Sequence, residues 1–263
     1  MYSSKKNQIR PGLKRTNTEL WFMKIVIIIP TYNEKHNIIE LINALQQVFK
    51  KIPHDMNILV VDDNSPDGTG ELVKNHTEKH SNIRLITGRK QGLGSAYIRG
   101  MKYALSHMKA GVVMEMDADF SHDPKDVPRL IACIDQGADF VIGSRYVKGG
   151  RLPADWGVHR RAISRLGNIA ARYMLHMKSV KDCTAGFRAI RSNVLKKIDL
   201  PGLRVQGYAF QIALLSHAMA RKAVIAEIPV VFVDRKKGQT KLGRHDILEF
   251  FDYVLRQVTK RSK

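Results

Sequence analysis

Five short apolar runs, KIVIIIP (24–30), MNILVVDD (56–63), IRLITG (83–88), GVVMEMDAD (111–119) and ADFVIGSRY (138–146), follow one another along the chain with amphipathic stretches between them. Each has the length of a strand, and most are apolar at consecutive positions, the pattern of strands covered on both faces. The segments between them, at 35–50, 68–79, 92–108 and 124–136, space their apolar residues as helices do. Strand and helix in strict alternation predict an α/β fold, a mostly parallel doubly wound sheet flanked by helices. The chain has 263 residues and is 44% hydrophobic, enough for one such domain, expected over residues 23–263. Ligands of these sheets bind beyond the carboxyl ends of the strands. Here those ends carry Tyr32, Asp62, Asp63, Asp117, Asp119 and Arg145.

The flanking segments are looser. Residues 1–22 are polar and basic without a steady period and read as a flexible tail, with Trp21 and Phe22 expected to pack down. Beyond residue 150 come a glycine-rich basic loop, a helix over 160–176, a strand at AGFRAIR (185–191), a helix over 207–222, an extended segment over 225–235, the basic loop KKGQTKLG (236–243) and a closing amphipathic helix over 246–260. No apolar run reaches the roughly 18 residues of a membrane span, so no transmembrane anchor is expected. Cys133 and Cys183 have neither zinc-site nor disulfide-framework spacing, which fits a reducing cytoplasm. Lys and Arg number 44 against 24 Asp and Glu, a net charge of +20, which points to phosphate-bearing partners. Nucleic acid is disfavoured, because no reading module or aromatic stacking platform accompanies the charge.

Candidate chemistry collects at three places. If the fourth run stays extended, Asp117 and Asp119 share one face, where two carboxylates repel unless a cation lies between them. Hard oxygens at this spacing suit Mg²⁺ or Mn²⁺ on a nucleotide, or alternatively a simple turn, in which Asp123 before Pro124 caps the next helix. Asp62 and Asp63 end the second run in VVDDNSPDGT, where an acid can accept hydrogen bonds from a base or ribose, although these residues are also ordinary turn formers. GLGSAY (92–97) lacks the spacing of a dinucleotide fingerprint or a Walker loop and reads as a helix start. Between 145 and 172 stand seven Lys or Arg and one acid, Asp155. There Trp156, Arg160 and Ser164, four apart, fall on one helical face able to grip a phosphate. Arg235, Lys236, Lys237 and Lys241 form a second basic group suited to closing over a diphosphate. His122 and His159 read as turn and loop residues.

Taken in order, IIIPTYNE, VVDDNSPDGTG, GLGSAYIRGMKYA, MDADFSHDP, GSRYVKGG, HRRAISRLGNIAAR, DCTAGFRAIR, GYAFQ and FVDRKKGQTKLG, spread from about residue 25 to 250, resemble the family 2 glycosyltransferases, and among them the dolichol-phosphate mannose synthases. The resemblance implies a single glycosyltransferase-A-type domain that transfers mannose, with inversion, from GDP-mannose to the phosphate of dolichyl or another polyprenyl phosphate. By motif position it implies that Pro30, Tyr32, Glu34 and Asp62 hold the guanosine part, with Val60 also in the nucleotide-sugar site. Asp117, Ala118 and Asp119 would meet the diphosphate, and Arg145, Arg235 and Lys241 its phosphates. Arg145, Arg160 and Ser164 would meet the acceptor phosphate, with Asp155 and Trp156 in the acceptor loop.

Asp117, Asp119 and Ser121 are then the implied Mg²⁺ or Mn²⁺ ligands, and Asp117, Asp119 and Arg145 the implied catalytic residues. A lipid acceptor implies peripheral attachment to the cytoplasmic face of a membrane, through basic segments, the closing helix or a membrane-anchoring subunit. Related transferases moving glucose or another sugar onto polyprenyl phosphate, and a non-catalytic nucleotide-sugar binder, are the alternative readings. Two positions depart from the family pattern. Ser121 stands where many relatives have a metal-binding Gln, and Ala213 stands where GYxFQxE has its Glu.

Overall fold

The computed structural model describes residues 22–153, 155–203 and 205–234, together with Tyr253. Arg235, Lys236, Lys237, Lys241, the tail over residues 1–21 and the closing helix, apart from Tyr253, lie outside the described residues. Phe22 is not packed down as expected: its side chain is 76% exposed.

The first run forms β1 (Lys24–Thr31), and the next two form β2 (Asp55–Asp62) and β3 (Ile83–Thr87). Helices α1 (Ile38–Phe49) and α2 (Thr69–Thr77) connect them. Helix α3 (Leu93–Ser106) leads to β4 (Val112–Glu115), and α4 (Val127–Asp135) leads to β5 (Phe140–Ser144). Then come α5 (Val158–Met174), β6 (Arg188–Arg191), the single turn α6 (Ser192–Leu195), α7 (Gly207–Ala220) and β7 (Ile225–Pro229). The seven strands lie in the order β3-β2-β1-β4-β6-β5-β7. All neighbours are parallel except at β6, which runs antiparallel to β4 and β5.

Strand alternation sorts the apolar runs onto two cores. Val26, Ile28, Leu59 and Val61 face one side, where Tyr97 and Met101 of α3 and Phe210 and Leu214 of α7 cover them. Ile25, Ile27, Ile29, Ile58 and Val60 face the other, under Ile38, Leu41 and Ile42 of α1 and Leu130 and Ile134 of α4. This is why the central runs are apolar at consecutive positions. Helix α3 rides close on the sheet at Gly100, where an added Cβ would meet Ile28 Cγ2 at 2.7 Å and Val61 Cγ2 at 3.0 Å.

The fourth strand is shorter than its apolar run. It ends at Glu115; Asp117 follows outside the strand, and Asp119 lies in the turn after it. The backbone reverses at Phe120, whose φ of 61° is left-handed.

Candidate active site

Strands β1, β4 and β5 open at their carboxyl ends onto one cleft of about 420 Å³. Pro30, Tyr32, Glu34, Asp117, Ala118, Asp119, Ser121, Arg145 and Arg160 all line it, so most of the residues singled out in the sequence come together. Val60 does not: it is fully buried in the core beneath α1. Asp62 does not line it either. Its carboxylate accepts from the Thr31 hydroxyl at 2.8 Å and from the backbone N–H and hydroxyl of Ser65 at 2.9 and 2.6 Å, binding the ends of β1 and β2 to the loop between β2 and α2. Asp63 lines the cleft in its place and is ion-paired with Arg99.

On the β1 side, the ammonium of Lys90 lies 3.6 Å from the centroid of the Tyr32 ring. The loop after β1 is held from below, because Glu34 N–H donates to Thr69 Oγ1 at 3.0 Å and Glu34 Oε2 accepts from Asn37 Nδ2 at 3.0 Å. Lys35 N–H likewise donates to Asp67. Burial works against ionising Asp67, yet its hydrogen bonds from Thr69 and Lys35 prevail and keep its carboxyl below the usual value.

The acidic turn after β4 forms the middle of the cleft. Tyr97 donates to Asp117 Oδ1 at 3.3 Å, the Asp117 N–H donates to His122 Nδ1 at 3.3 Å, and the Ser121 N–H donates to Asp119 Oδ1 at 3.0 Å. His122 is buried and stacked on Phe187 with centroids 4.9 Å apart. Burial pushes its pKa down to about 4, so the ring is neutral, and its Nδ1 accepts from the turn backbone. Asp123 caps the following turn through Lys125 N–H at 2.9 Å, as its place before Pro124 predicted. The Ser121 hydroxyl is buried and has no hydrogen-bond partner. Asp117, Asp119 and Ser121 thus bring hard oxygens to one turn. Among the described residues no cluster of three or more His, Cys, Asp or Glu side chains is present to complete a cation shell from protein alone.

Cationic groups face this turn from β5 and α5. Arg145 is gripped by Asp182 through Nε and Nη2, each at 2.8 Å, while its backbone N–H donates to the same carboxylate at 2.9 Å. Thr184 Oγ1 accepts from Arg145 Nη2 at 2.7 Å. Asp182 is wholly buried, which alone would raise its pKa, but the Arg145 charge and hydrogen bonds hold it below the usual carboxylate value. Arg160 lies over the Trp156 ring at 4.0 Å and donates to Asp234 at 3.2 Å. Ser164, one turn after Arg160 on α5, does not line the cleft, and its hydroxyl is 2.7 Å from the Tyr146 hydroxyl. Asp155 and His159 are exposed.

Sequence reading missed what lies under the turn. Glu115 and Arg188 are register partners across β4 and β6, both fully buried, with Arg188 Nε 3.9 Å from Glu115 Oε2. Burial pushes Glu115 up to about 7 against the pull of Arg188. Arg188 also donates to the backbone carbonyls of Gln211 and Cys183. Charged residues inside the apolar runs GVVME and FRAI were the available signal. Ala213 is fully buried in the core and does not line the cleft.

The chain is similar to several known proteins. Residues 26–199 match the family described as glycosyl transferase family 2. Over 228 residues the chain is 38% identical to the polyprenol monophosphomannose synthase of Mycolicibacterium smegmatis, covering 86% of this chain and 83% of that protein. It is also 38% identical over 222 residues to the undecaprenyl-phosphate mannosyltransferase of Micrococcus luteus, covering 84% and 88%. Among solved structures, glucosyl-3-phosphoglycerate synthase from Mycobacterium tuberculosis, crystallised with Mn²⁺ and UDP-glucose, superposes with a TM-score of 0.64 at 18% identity, over 91% of this chain and 79% of that one. The latter likeness is one of fold, the glycosyltransferase-A type, whereas family match and sequence identity together place the chain within glycosyl transferase family 2.

Proposed function

We propose that the chain transfers mannose from GDP-mannose to the phosphate of a polyprenyl phosphate such as dolichyl phosphate, with inversion at the anomeric carbon. The observation that carries this reading is the division of one cleft. An acidic turn stands at its middle, the Tyr32 and Glu34 wall lies on one side, and Arg145 and Arg160 lie on the other. The relatives named for polyprenol- and undecaprenyl-phosphate mannosyl transfer support the acceptor and the sugar.

In this reading the nucleoside lies against Tyr32 and Glu34, and its diphosphate reaches the turn. Asp117, Asp119 and the unpartnered Ser121 hydroxyl fit a divalent cation, Mg²⁺ or Mn²⁺, with phosphate oxygens completing its shell. When bound, that ion screens the charge that develops on the departing diphosphate. Arg235 and Lys241 join the donor phosphates from the segment that follows Asp234. The acceptor phosphate meets Arg160 and Arg145 on the opposite side and attacks the anomeric carbon there. A phosphate monoester has its second pKa at about 6 and arrives as an anion, so no general base is needed. Positioning and electrostatics supply the catalysis. A lipid-linked acceptor places the reaction at a membrane surface. Among the described residues no helix is long and apolar enough to cross a membrane.

The test is turnover by the purified chain with GDP-mannose, Mg²⁺ or Mn²⁺ and polyprenyl phosphate, with UDP-glucose as the competing donor. Mannosyl transfer that chelation abolishes and Asp119→Asn reduces by at least about a hundredfold is the expected result. Binding of GDP-mannose without transfer would sink the proposal, and preference for UDP-glucose would replace its donor.

A further inference from the structure

At the end of the sheet away from the cleft, beside the first residues of β1, β2 and β3, lies a second cavity of about 260 Å³. Its floor is one side chain from each of these neighbouring strands, Lys24, Asn57 and Arg84. Lys24 and Asn57 have the parity of Val26 and Leu59, and Arg84 is the register partner of Leu59, so all three project from the α3 face of the sheet. The end of α3 makes the wall, with Tyr103 in its last turn and His107, Met108 and Lys109 just beyond it. That loop is folded back on the helix. The His107 and Met108 N–H groups both donate to the Tyr103 carbonyl, at 2.9 and 3.3 Å, and the Ala110 N–H donates to the Ala104 carbonyl at 3.0 Å.

No carboxylate lines the cavity. Asp55 answers one of its cations from outside: it lies 3.3 Å from the Lys24 ammonium and accepts from Asn57 Nδ2 at 2.8 Å, which fixes both floor side chains. Arg84 donates to the Ser81 and Ile83 carbonyls at 2.9 and 3.0 Å, both times through Nη1, so the donors of Nε and Nη2 remain for a ligand. Among the described residues neither Arg84 nor Lys109 is in an ion pair. The carbonyl end of α3 carries only about half a negative charge, less than these two full positive ones. A guanidinium with an ammonium beside it selects a phosphate, whose oxygens take paired, charge-assisted hydrogen bonds.

The wall tells what the phosphate is attached to. Tyr103 and His107 are stacked, with centroids 4.6 Å apart and planes 13° from parallel, and Met108 adds a thioether beside them. A flat ring extends such a wall, and sulfur favours aromatic neighbours as well. A bare phosphate ion would leave this side of the cavity without a partner.

We propose that this cavity is a second ligand site, for a small phosphate monoester carried on a planar ring, the chemistry that a nucleoside monophosphate presents. Arg84 and Lys109 hold the phosphate, and Tyr103 holds the ring. The site is separate from the cleft and does not depend on the reaction proposed there.

The test is a titration of the isotopically labelled full chain with phenyl phosphate, glycerol 3-phosphate and inorganic phosphate, followed by amide chemical shifts, which distinguish this cavity from the cleft residue by residue. Phenyl phosphate is expected to shift Arg84, Tyr103 and Lys109 saturably, and to bind there at least about threefold more tightly than the two phosphates without a ring, as one aromatic contact allows. Arg84→Gln/Lys109→Gln is expected to weaken that binding by roughly tenfold or more. Tyr103→Leu should remove the preference for the ring and leave inorganic phosphate within about twofold of its wild-type affinity. Arg84 and Lys109 are exposed, so the double variant should melt like the wild type. Shifts confined to the cleft, equal affinity for all three compounds, or a double variant that binds like the wild type would each overturn the inference.

Discussion

Asp182 is a carboxylate that never reaches solvent, yet it fixes the main cation of the cleft. Removing its charge leaves the Arg145 guanidinium, 4% exposed, without its counterion, and breaking one side of a buried pair costs about 3–5 kcal/mol. Asp182→Asn is therefore expected to lower stability by that amount at neutral pH, as read by urea denaturation. The pH dependence has a definite sign. The folded pKa lies below the ordinary 3.8, so this stabilisation is complete above about that pH and is lost as pH falls through the lower folded value. The gap between wild type and variant should narrow on the acid side of 3.8 and nowhere else. Cys183, one residue on, gives a second check. Burial pushes its thiol up to about 12, so the native protein should resist alkylation by iodoacetamide at mildly alkaline pH and react only when unfolded. Rapid labelling of the native chain at Cys183 would contradict the packing around the Arg145 pair.

At the scale of elements, the contact between α3 and the sheet makes its own prediction. Alanine is the better helix former, and Gly→Ala inside a helix gains up to about 1 kcal/mol. At Gly100, however, the added methyl would press on Ile28 and Val61 at 2.7 and 3.0 Å, and overpacking of this kind costs about 1–3 kcal/mol. Gly100→Ala should thus destabilise in thermal or urea melts; a gain would mean that α3 sits farther from β1 than described. The parallel strands were legible because both of their faces are covered, so the apolar runs stand out against polar turns, and Asp123 before Pro124 announced its cap. The direction of β6 was not legible, since four residues, RAIR, carry no sign of which way they run. The Glu115 and Arg188 pair was hidden for a related reason: it exists only because β6 lies antiparallel beside β4 in that register. The loop role of Asp62 was not legible, because an acid at a strand end serves a loop as readily as a ligand, and here its carboxylate accepts from Thr31 and Ser65.

Across the whole molecule, two halves of the sheet meet at the cleft, and they carry different work in the proposed reaction. The donor wall comes from β1 and the turn after β4, whereas Arg160 comes from α5, beyond the strand that carries Arg145. Arg160 also stands in a side-chain stack: its guanidinium lies on Trp156, Trp156 meets the edge of Phe232 at 6.0 Å, and Phe232 meets His122 at 5.5 Å behind the acidic turn. If the stack only held the turn in shape, loss of Arg160 would weaken donor and acceptor together. If Arg160 is the grip on the acceptor phosphate, Arg160→Ala should raise the KM for polyprenyl phosphate by about tenfold or more, the worth of one charge-assisted contact, while the dissociation constant of GDP-mannose, measured by calorimetry without acceptor, stays within about twofold. The ion pair of Arg160 with Asp234 is partly exposed, at 34% and 32%, so losing it costs little stability and the variant should remain folded for the comparison. Equal losses on both substrates would assign Arg160 to the scaffold and leave Arg145 alone on the acceptor side.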